Sequence, residues 1–287
     1  MTFSGTFLAV DWGTTNRRVY RIEAGQVAAT ERDDKGVTAV SDFPDEITRI
    51  RDRFGDLPLL MAGMVGSNIG WRLAPYVTAP AGIPDLAANL LWIDPRTAIV
   101  PGISTNSPPD VMRGEEVQLL GAVAGAFVPR DALVVQPGTH SKWIEIADGR
   151  IASFTTVMTG ELFGLLRNHG LLAAQLGSEV SLGDAFREGV AEGARRDLGA
   201  SLFGIRAAKL LGVRDDSDAA SFASGLLIGA EIAARLADKP HEVIYLLADP
   251  ALGGLYASAI AAQGREARIV DSQAAFVAGI LAIGSQI

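Results

Sequence analysis

The chain has 287 residues, 48% of them apolar and 20% charged, enough for about two domains with real cores and too ordered in composition for wholesale disorder. Lys and Arg number 25 against 33 Asp and Glu, a net charge of −8, which argues against nucleic-acid or anionic-membrane partners. There is no cysteine, so disulfides, zinc–thiolate sites, iron–sulfur clusters and thiol nucleophiles are excluded, and the three scattered histidines lack metal-ligand spacing.

In chain order, Thr6–Val10 reads as a strand that breaks at Asp11-Trp-Gly-Thr-Thr-Asn16. Arg18–Ile22 alternates polar and apolar residues, and Gln26–Arg32 returns antiparallel to it after the turn at Glu23-Ala-Gly25. Phe43, Ile47, Ile50 and Phe54, at spacings of three and four, predict a helix over 43–54. Leu57–Ala62 is a short buried strand. Pro and Gly mark 75–84 and 101–109 as loops, Gly114–Phe127 as the next helix, and Val128–Asp131 as the domain boundary, giving domains 1–130 and 131–287.

The pattern then restarts. Ala132–Gln136 is a strand that breaks at Pro137-Gly-Thr-His-Ser-Lys142, and Trp143–Ala147 and Arg150–Thr155 form a hairpin. A later strand pair, Val243–Ala248 and Ala267–Val270, flanks a helix over 251–263. Both halves thus open with a strand, a Gly-containing polar turn and a hairpin, as expected of two similar α/β lobes enclosing a ligand cleft. The longest apolar stretch, Ala274–Gly284, is far short of the ~20 residues of a membrane span, and no signal peptide is evident; a cytoplasmic protein is expected.

The polar turns carry the chemistry. In the first, Gly13 lets backbone N–H groups and the Thr14 and Thr15 hydroxyls approach phosphate oxygens. Asp11 at the strand end suits Mg²⁺, and Arg18 suits an anion. The plainer alternative is a hairpin turn held by its own Asp and Thr side chains. Gly138, Thr139, Ser141 and Lys142 suit a second phosphate loop at the equivalent place. Asp110 in Asp110-Val-Met-Arg-Gly-Glu-Glu116 is read at a loop–helix junction, either as a general base that accepts a hydroxyl proton or as an ordinary helix cap. Glu115 and Glu161 are the other candidate bases. Arg72 and Arg113 are candidates for pairing with a substrate carboxylate. Walker, Gly-x-Gly-x-x-Gly and Gly-x-Ser-x-Gly patterns are absent.

Asp11–Arg18, Gly63-Met-Val-Gly-Ser67, Gly70-Trp71, Ala74-Pro-Tyr76, Asp110–Glu116, Pro137–Trp143 and Met158-Thr-Gly-Glu-Leu-Phe163 together resemble the bacterial 2-dehydro-3-deoxygalactonokinase family, in that family's order. The resemblance implies a two-lobed actin-like (ribonuclease H-like) ATPase fold using ATP and Mg²⁺. It implies phosphoryl transfer to the 6-hydroxyl of 2-dehydro-3-deoxy-D-galactonate, in galactonate catabolism. The Asp11 and Gly138 turns would be the two phosphate loops, and 247–252 would lie near the adenosine, with Ala248-Asp249 where the family pattern has glycine. Arg17 stands where the family more often has an apolar residue. Arg18, Arg72, Arg113 and Glu115 would bind the sugar acid, and Asp110 would be the general base. The gluconate epimer, another sugar acid or sugar, a homodimer, and a non-catalytic actin-like nucleotide sensor are all compatible with the same sequence.

Overall fold

A computed structural model describes residue 3, residues 5–195 and residues 197–287. The chain forms two compact units. The first comprises Met1–Asp131, Glu145–Phe154 and Ser272–Ile287; the second comprises Ala132–Ile144 and Thr155–Asp271.

The elements of the first 131 residues are β1 (Phe7–Trp12), β2 (Arg17–Glu23), β3 (Gln26–Asp33), α1 (Phe43–Phe54), β4 (Leu59–Gly63), β5 (Tyr76–Thr78), α2 (Ile83–Ala88), β6 (Leu91–Asp94), β7 (Thr97–Ile99), β8 (Gly102–Asn106), β9 (Pro109–Met112) and α3 (Glu115–Ala124). Their main sheet has the order β3-β2-β1-β4-β7-β6, with β1 antiparallel to β2 and parallel to β4 and β4 parallel to β7. Phe7–Val10 and Trp12 are buried on both faces of this central strand, which is why β1 reads as an unbroken apolar run. Helix α1 starts where expected because Asp42 caps it through the Asp45 N–H and Pro44 occupies its first turn, and it buries Ile47 and Ile50. These residues join Leu8, Val10, Trp12, Val19, Met61 and Ile99 in one core, each large side chain contributing roughly 1.5–3 kcal/mol.

The remaining elements are β10 (Ala132–Gln136), β11 (Ser141–Ala147), β12 (Arg150–Val157), α4 (Thr159–Asn168), α5 (Asp184–Gly193), α6 (Leu198–Leu210), α7 (Asp216–Leu236), β13 (Val243–Leu247), α8 (Pro250–Ala261), β14 (Glu266–Val270) and α9 (Ser272–Gly284). Their sheet runs β12-β11-β10-β13-β14, with β10, β13 and β14 parallel. Leu133, Val135, Phe186, Ile228, Ile232, Ile244, Leu246 and Ile260 form its core. By length and composition α7 could span a membrane, although the longest apolar stretch in the sequence lies elsewhere; 78% of its apolar window is buried, as in a core helix.

Five readings differ in the structure. Residues 75–84 and 101–109 are not plain loops: β5, β8 and β9 form a three-stranded sheet, in which Tyr76 pairs with Gly102 and Thr105 with Asp110. These strands are only three to five residues long, the β8–β9 hairpin carries prolines at its turn, and β5 pairs with β8 from 26 residues away, so local periodicity does not register them. Leu91–Ile99, given no element from sequence, holds β6 and β7. Asp110 lies inside β9 rather than at a loop–helix junction, because α3 begins five residues later behind Gly114. The helix also stops at Ala124, with Gly125 as its C-cap. Finally, Ser141 and Lys142 are strand residues, and the second turn is confined to 137–140.

Candidate active site

The end of β1 and the start of β2 hold the first candidate loop. Gly13 donates its N–H to the Asn16 carbonyl at 2.9 Å, closing a tight turn. The turn is backed by residues 35–38. Trp12 Nε1 donates to the Lys35 carbonyl at 2.8 Å, Val37 N–H to the Gly13 carbonyl at 3.0 Å, and the Thr38 hydroxyl to the Thr14 carbonyl at 2.9 Å. A Cβ on Gly36 would come within 2.2 Å of the Thr14 carbonyl oxygen, so only glycine permits this approach. Asp11, Gly13, Thr14, Thr15 and Arg18, all singled out from sequence, line one cavity of about 240 Å³ together with Asn16, Arg17 and Arg32.

Asp11 faces Arg18 across the β1–β2 register. Burial raises its pKa from 3.8 to about 6, against the lowering effect of Arg18 and with the help of the Glu115 negative charge. Glu115 therefore acts on Asp11 although 104 residues separate them in sequence. Gly114, at φ +104°, makes the turn that brings the start of α3 to the end of β4, where its Cβ would lie 3.1 Å from Gly63 Cα. Among the described residues no group of three or more His, Asp or Glu side chains gathers to hold a metal. The donor set fits Mg²⁺ bound the way phosphoryl-transfer enzymes bind it, by one or two carboxylates completed by phosphate oxygens and water.

Arg17 is the buried cation that sequence reasoning left without a role. It donates to Glu46 at 2.8 Å and to Asp33 at 2.5 Å, and its guanidinium lies 5.1 Å from the centre of the Trp12 ring. Glu46, also reached by Lys35 and Arg49, is held below its usual carboxylate range by these cations in spite of its burial. The network fastens α1 and β3 behind the loop, and the signal for it is charge: Glu46 lies within the helix expected over 43–54, and Asp33 is the residue by which β3 outruns the expected Gln26–Arg32 strand.

Arg113 is 8% exposed, donates to the Ala74 carbonyl at 2.8 Å and stacks over Tyr76 at 4.3 Å, leaving Nε and Nη1 without partners. Arg72 is exposed. Asp110 accepts the Val111 N–H at 2.8 Å, and Glu115 accepts the Arg113 N–H at 3.0 Å. Glu116, fully buried, accepts the Gly114 N–H at 2.7 and 2.9 Å through its two oxygens. Burial first, then Glu115, raises its pKa from 4.5 to about 8. Between those values the folded state holds a proton that the unfolded chain has lost, so stability falls as pH rises from 4.5 through about 8. Thermal melting of Glu116→Gln should accordingly decline less between pH 5 and pH 8 than that of the wild type; parallel declines would refute the assignment.

In the second unit the loop after β10 leaves Gly138 open, with no atom within 4 Å of where its Cβ would be. That is the room a phosphate needs against backbone N–H groups. Thr139 is exposed, and its carbonyl accepts the Glu161 N–H at 2.9 Å. The His140 ring and the Glu161 carboxylate form an exposed hydrogen-bond contact beside it. Ser141 and Lys142 differ from the expected turn residues. They are 0% and 5% exposed, and they hydrogen-bond Tyr256 OH and the Thr156 hydroxyl at 2.8 Å, so their side chains are engaged within the unit. Asp249, standing where glycine was expected, caps α8 by accepting the Ala251 and Leu252 N–H groups at 3.0 and 3.1 Å. It lines a cavity of about 490 Å³ with Val180, Leu182, Pro250, Ala251, Leu252, Gly254 and Leu255.

The α/β architecture is that of the actin-like ATPase and sugar-kinase fold. At the level of fold alone, component A of (R)-2-hydroxyglutaryl-CoA dehydratase from Acidaminococcus fermentans superimposes with a TM-score of 0.52 at 12% identity, over 97% of each chain. Within that class the chain belongs to the 2-keto-3-deoxy-galactonokinase family, whose model matches residues 11–283. It is 37% identical to the 2-dehydro-3-deoxygalactonokinase of Escherichia coli, covering 96% of this chain and 97% of that one. It is also similar to a crystal structure described as a putative 2-dehydro-3-deoxygalactonokinase from Sinorhizobium meliloti, with TM-score 0.91 and 35% identity over 96% of this chain and 97% of that one.

Proposed function

We propose that the protein is an ATP-dependent kinase that phosphorylates the 6-hydroxyl of 2-dehydro-3-deoxy-D-galactonate, giving the 6-phosphate and ADP. The observation that carries this reading is full-length membership of the family, together with the open Asp11–Arg18 loop that its motif builds. The substrate oxygen attacks the γ-phosphorus, the bond from that phosphorus to the β–γ bridging oxygen breaks, and ADP leaves with the electron pair. Asp110 is the residue proposed to take the hydroxyl proton. Glu115 is the second reading, favoured by its electrostatic contact with Asp11.

The Thr14–Thr15 and Gly138–Thr139 backbones are proposed to hold phosphate oxygens by their N–H groups, with Gly13 shaping the first turn, and the Val180, Leu182 and Leu252 cavity to take the adenosine. Asp11 would hold Mg²⁺, which supplies charge neutralisation on the phosphates when bound. Arg18, Arg72 and Arg113 supply the cations that an acidic protein needs near an anionic substrate, and the two unpartnered nitrogens of the buried Arg113 guanidinium suit a carboxylate. We place the protein in the cytoplasm, in galactonate catabolism.

The test is an ADP-release assay with ATP and Mg²⁺, comparing 2-dehydro-3-deoxy-D-galactonate with its gluconate epimer. Turnover preferring the galacto epimer is expected. Preference for the gluconate epimer would replace the named substrate, and tight nucleotide binding without turnover on either would favour a sensor.

A further inference from the structure

Beneath the second loop lies a buried polar cluster that the proposed reaction does not use. Glu231, on α7, is 5% exposed and is surrounded by the apolar side chains of the second core, including Ile228 and Ile232 from its own helix. Its Oε1 accepts Trp143 Nε1 at 2.6 Å and its Oε2 accepts Tyr256 OH at 2.7 Å. Tyr256 OH in turn lies 2.8 Å from the Ser141 hydroxyl, and the Thr159 hydroxyl also hydrogen-bonds the carboxylate. Ser141, Trp143, Thr159 and Tyr256 are all at most 6% exposed.

Burying a carboxylate costs free energy, and burial raises the pKa of Glu231 against the donors that surround it. An apolar residue of the same size would serve the core at lower cost. What the carboxylate achieves is placement. Through Tyr256 it reaches Ser141, two residues after Thr139, and directly it fixes Trp143 on the same strand. Through Thr159 it holds the first turn of α4, the backbone on which the loop rests. There a Cβ on Gly160 would come within 2.4 Å of the Gly138 carbonyl oxygen, and the Glu161 N–H binds the Thr139 carbonyl. One side chain thus fastens both segments that enclose Gly138 and Thr139, and neither segment can shift without breaking a buried hydrogen bond to it.

We infer that Glu231 is a positioning residue for the Gly138–Thr139 loop, setting the affinity of that loop for the phosphates of a nucleotide while touching no part of the ligand. The inference rests on the reading of this loop as a phosphate loop. It distinguishes a positioning role from a merely structural one, because only the phosphate-bearing part of the ligand should respond.

The experiment is calorimetric titration of the full-length protein with ADP and with adenosine, for the wild type, Glu231→Leu, Glu231→Gln and Ser141→Ala, with thermal melting of each. Glu231→Leu removes both acceptors, and Ser141→Ala cuts the link to the strand with little change of volume. Each should weaken ADP by about tenfold or more, the worth of an ordered hydrogen-bonded contact, while adenosine stays within about twofold. Glu231→Gln keeps the acceptor for Trp143 and can donate to Tyr256, whose hydroxyl then donates to Ser141. It should recover most of the ADP affinity. If Glu231→Leu does not fold, Ser141→Ala and Glu231→Gln carry the comparison. Unchanged ADP affinity in Ser141→Ala and Glu231→Leu, or a parallel loss for adenosine, would overturn the positioning role. A wild type that binds ADP no more tightly than adenosine would overturn the phosphate-loop reading itself.

Discussion

Asp11→Asn should lose about a thousandfold in turnover, or about 4 kcal/mol of transition-state stabilisation, without losing thermal stability. The reasoning starts from the carboxylate's surroundings. It stands near the end of a buried central strand, beside a turn whose Thr14 and Thr15 are exposed, and it feels the negative charge of Glu115. Its folded pKa of about 6 lies above the unfolded value of 3.8, so ionised Asp11 destabilises the fold increasingly as pH rises between those values, and above about 6 the full cost is present. A residue that harms the apo fold in its working state has a reason in ligand binding, and a divalent cation bound to phosphate is the group that would compensate it. Asparagine keeps the shape and removes the charge. At pH 8 its melting temperature should equal or exceed that of the wild type, while turnover at saturating ATP and Mg²⁺ collapses. An Asn variant that keeps more than a tenth of the wild-type rate, about 1.4 kcal/mol, would remove Asp11 from the metal role.

The contrast between the two loops shows how far residues alone carry the reading. The first loop was legible because its chemistry and its backbone lie in one contiguous string: strand, Asp, Gly, two Thr, then an alternating strand. Every one of its predicted cavity residues lines the same space. What supports it was not legible. Gly36 and Thr38 reach the loop from beyond a whole hairpin, and nothing in the local pattern of 36–38 marks that contact. The second loop was read two residues too long. Ser141 and Lys142 are polar letters after a Gly-Thr turn, yet a strand alternates its faces, and their partners, Tyr256 and Thr156, lie 115 and 14 residues away. Polarity identified the region; only tertiary packing decides whether a hydroxyl meets a ligand or a buried tyrosine. The same holds for Asp249, where the departure from the expected glycine is a helix cap with two backbone partners.

For the proton acceptor, Asp110→Asn should reduce kcat by about 10²–10⁴-fold, the usual worth of a positioned general base, while ATP affinity changes little. The placement of Asp110 in β9 gives this expectation its shape. The strand is anchored by the β8 pairing of Thr105 with Asp110 and of Ile103 with the buried Met112, so the backbone that carries the carboxylate is fixed. The side chain is only partly exposed, and its Oδ1 accepts the following N–H at 2.8 Å, a contact that orients the carboxylate. Asparagine preserves the N–H contact through its carbonyl oxygen but cannot take the proton, so loss of kcat with unchanged ATP affinity isolates the acid–base role. Glu115 is the control. It sits at the start of α3, held by the Arg113 N–H at 3.0 Å, and its charge is already engaged with Asp11. Glu115→Gln should therefore alter the binding of Mg²⁺ and nucleotide more than the proton-transfer step, appearing in KM for ATP rather than in kcat. If instead Asp110→Asn turns over normally and Glu115→Gln is dead at saturating substrate, the two carboxylates exchange roles, and proton acceptance moves from the three-stranded sheet to the first turn of α3.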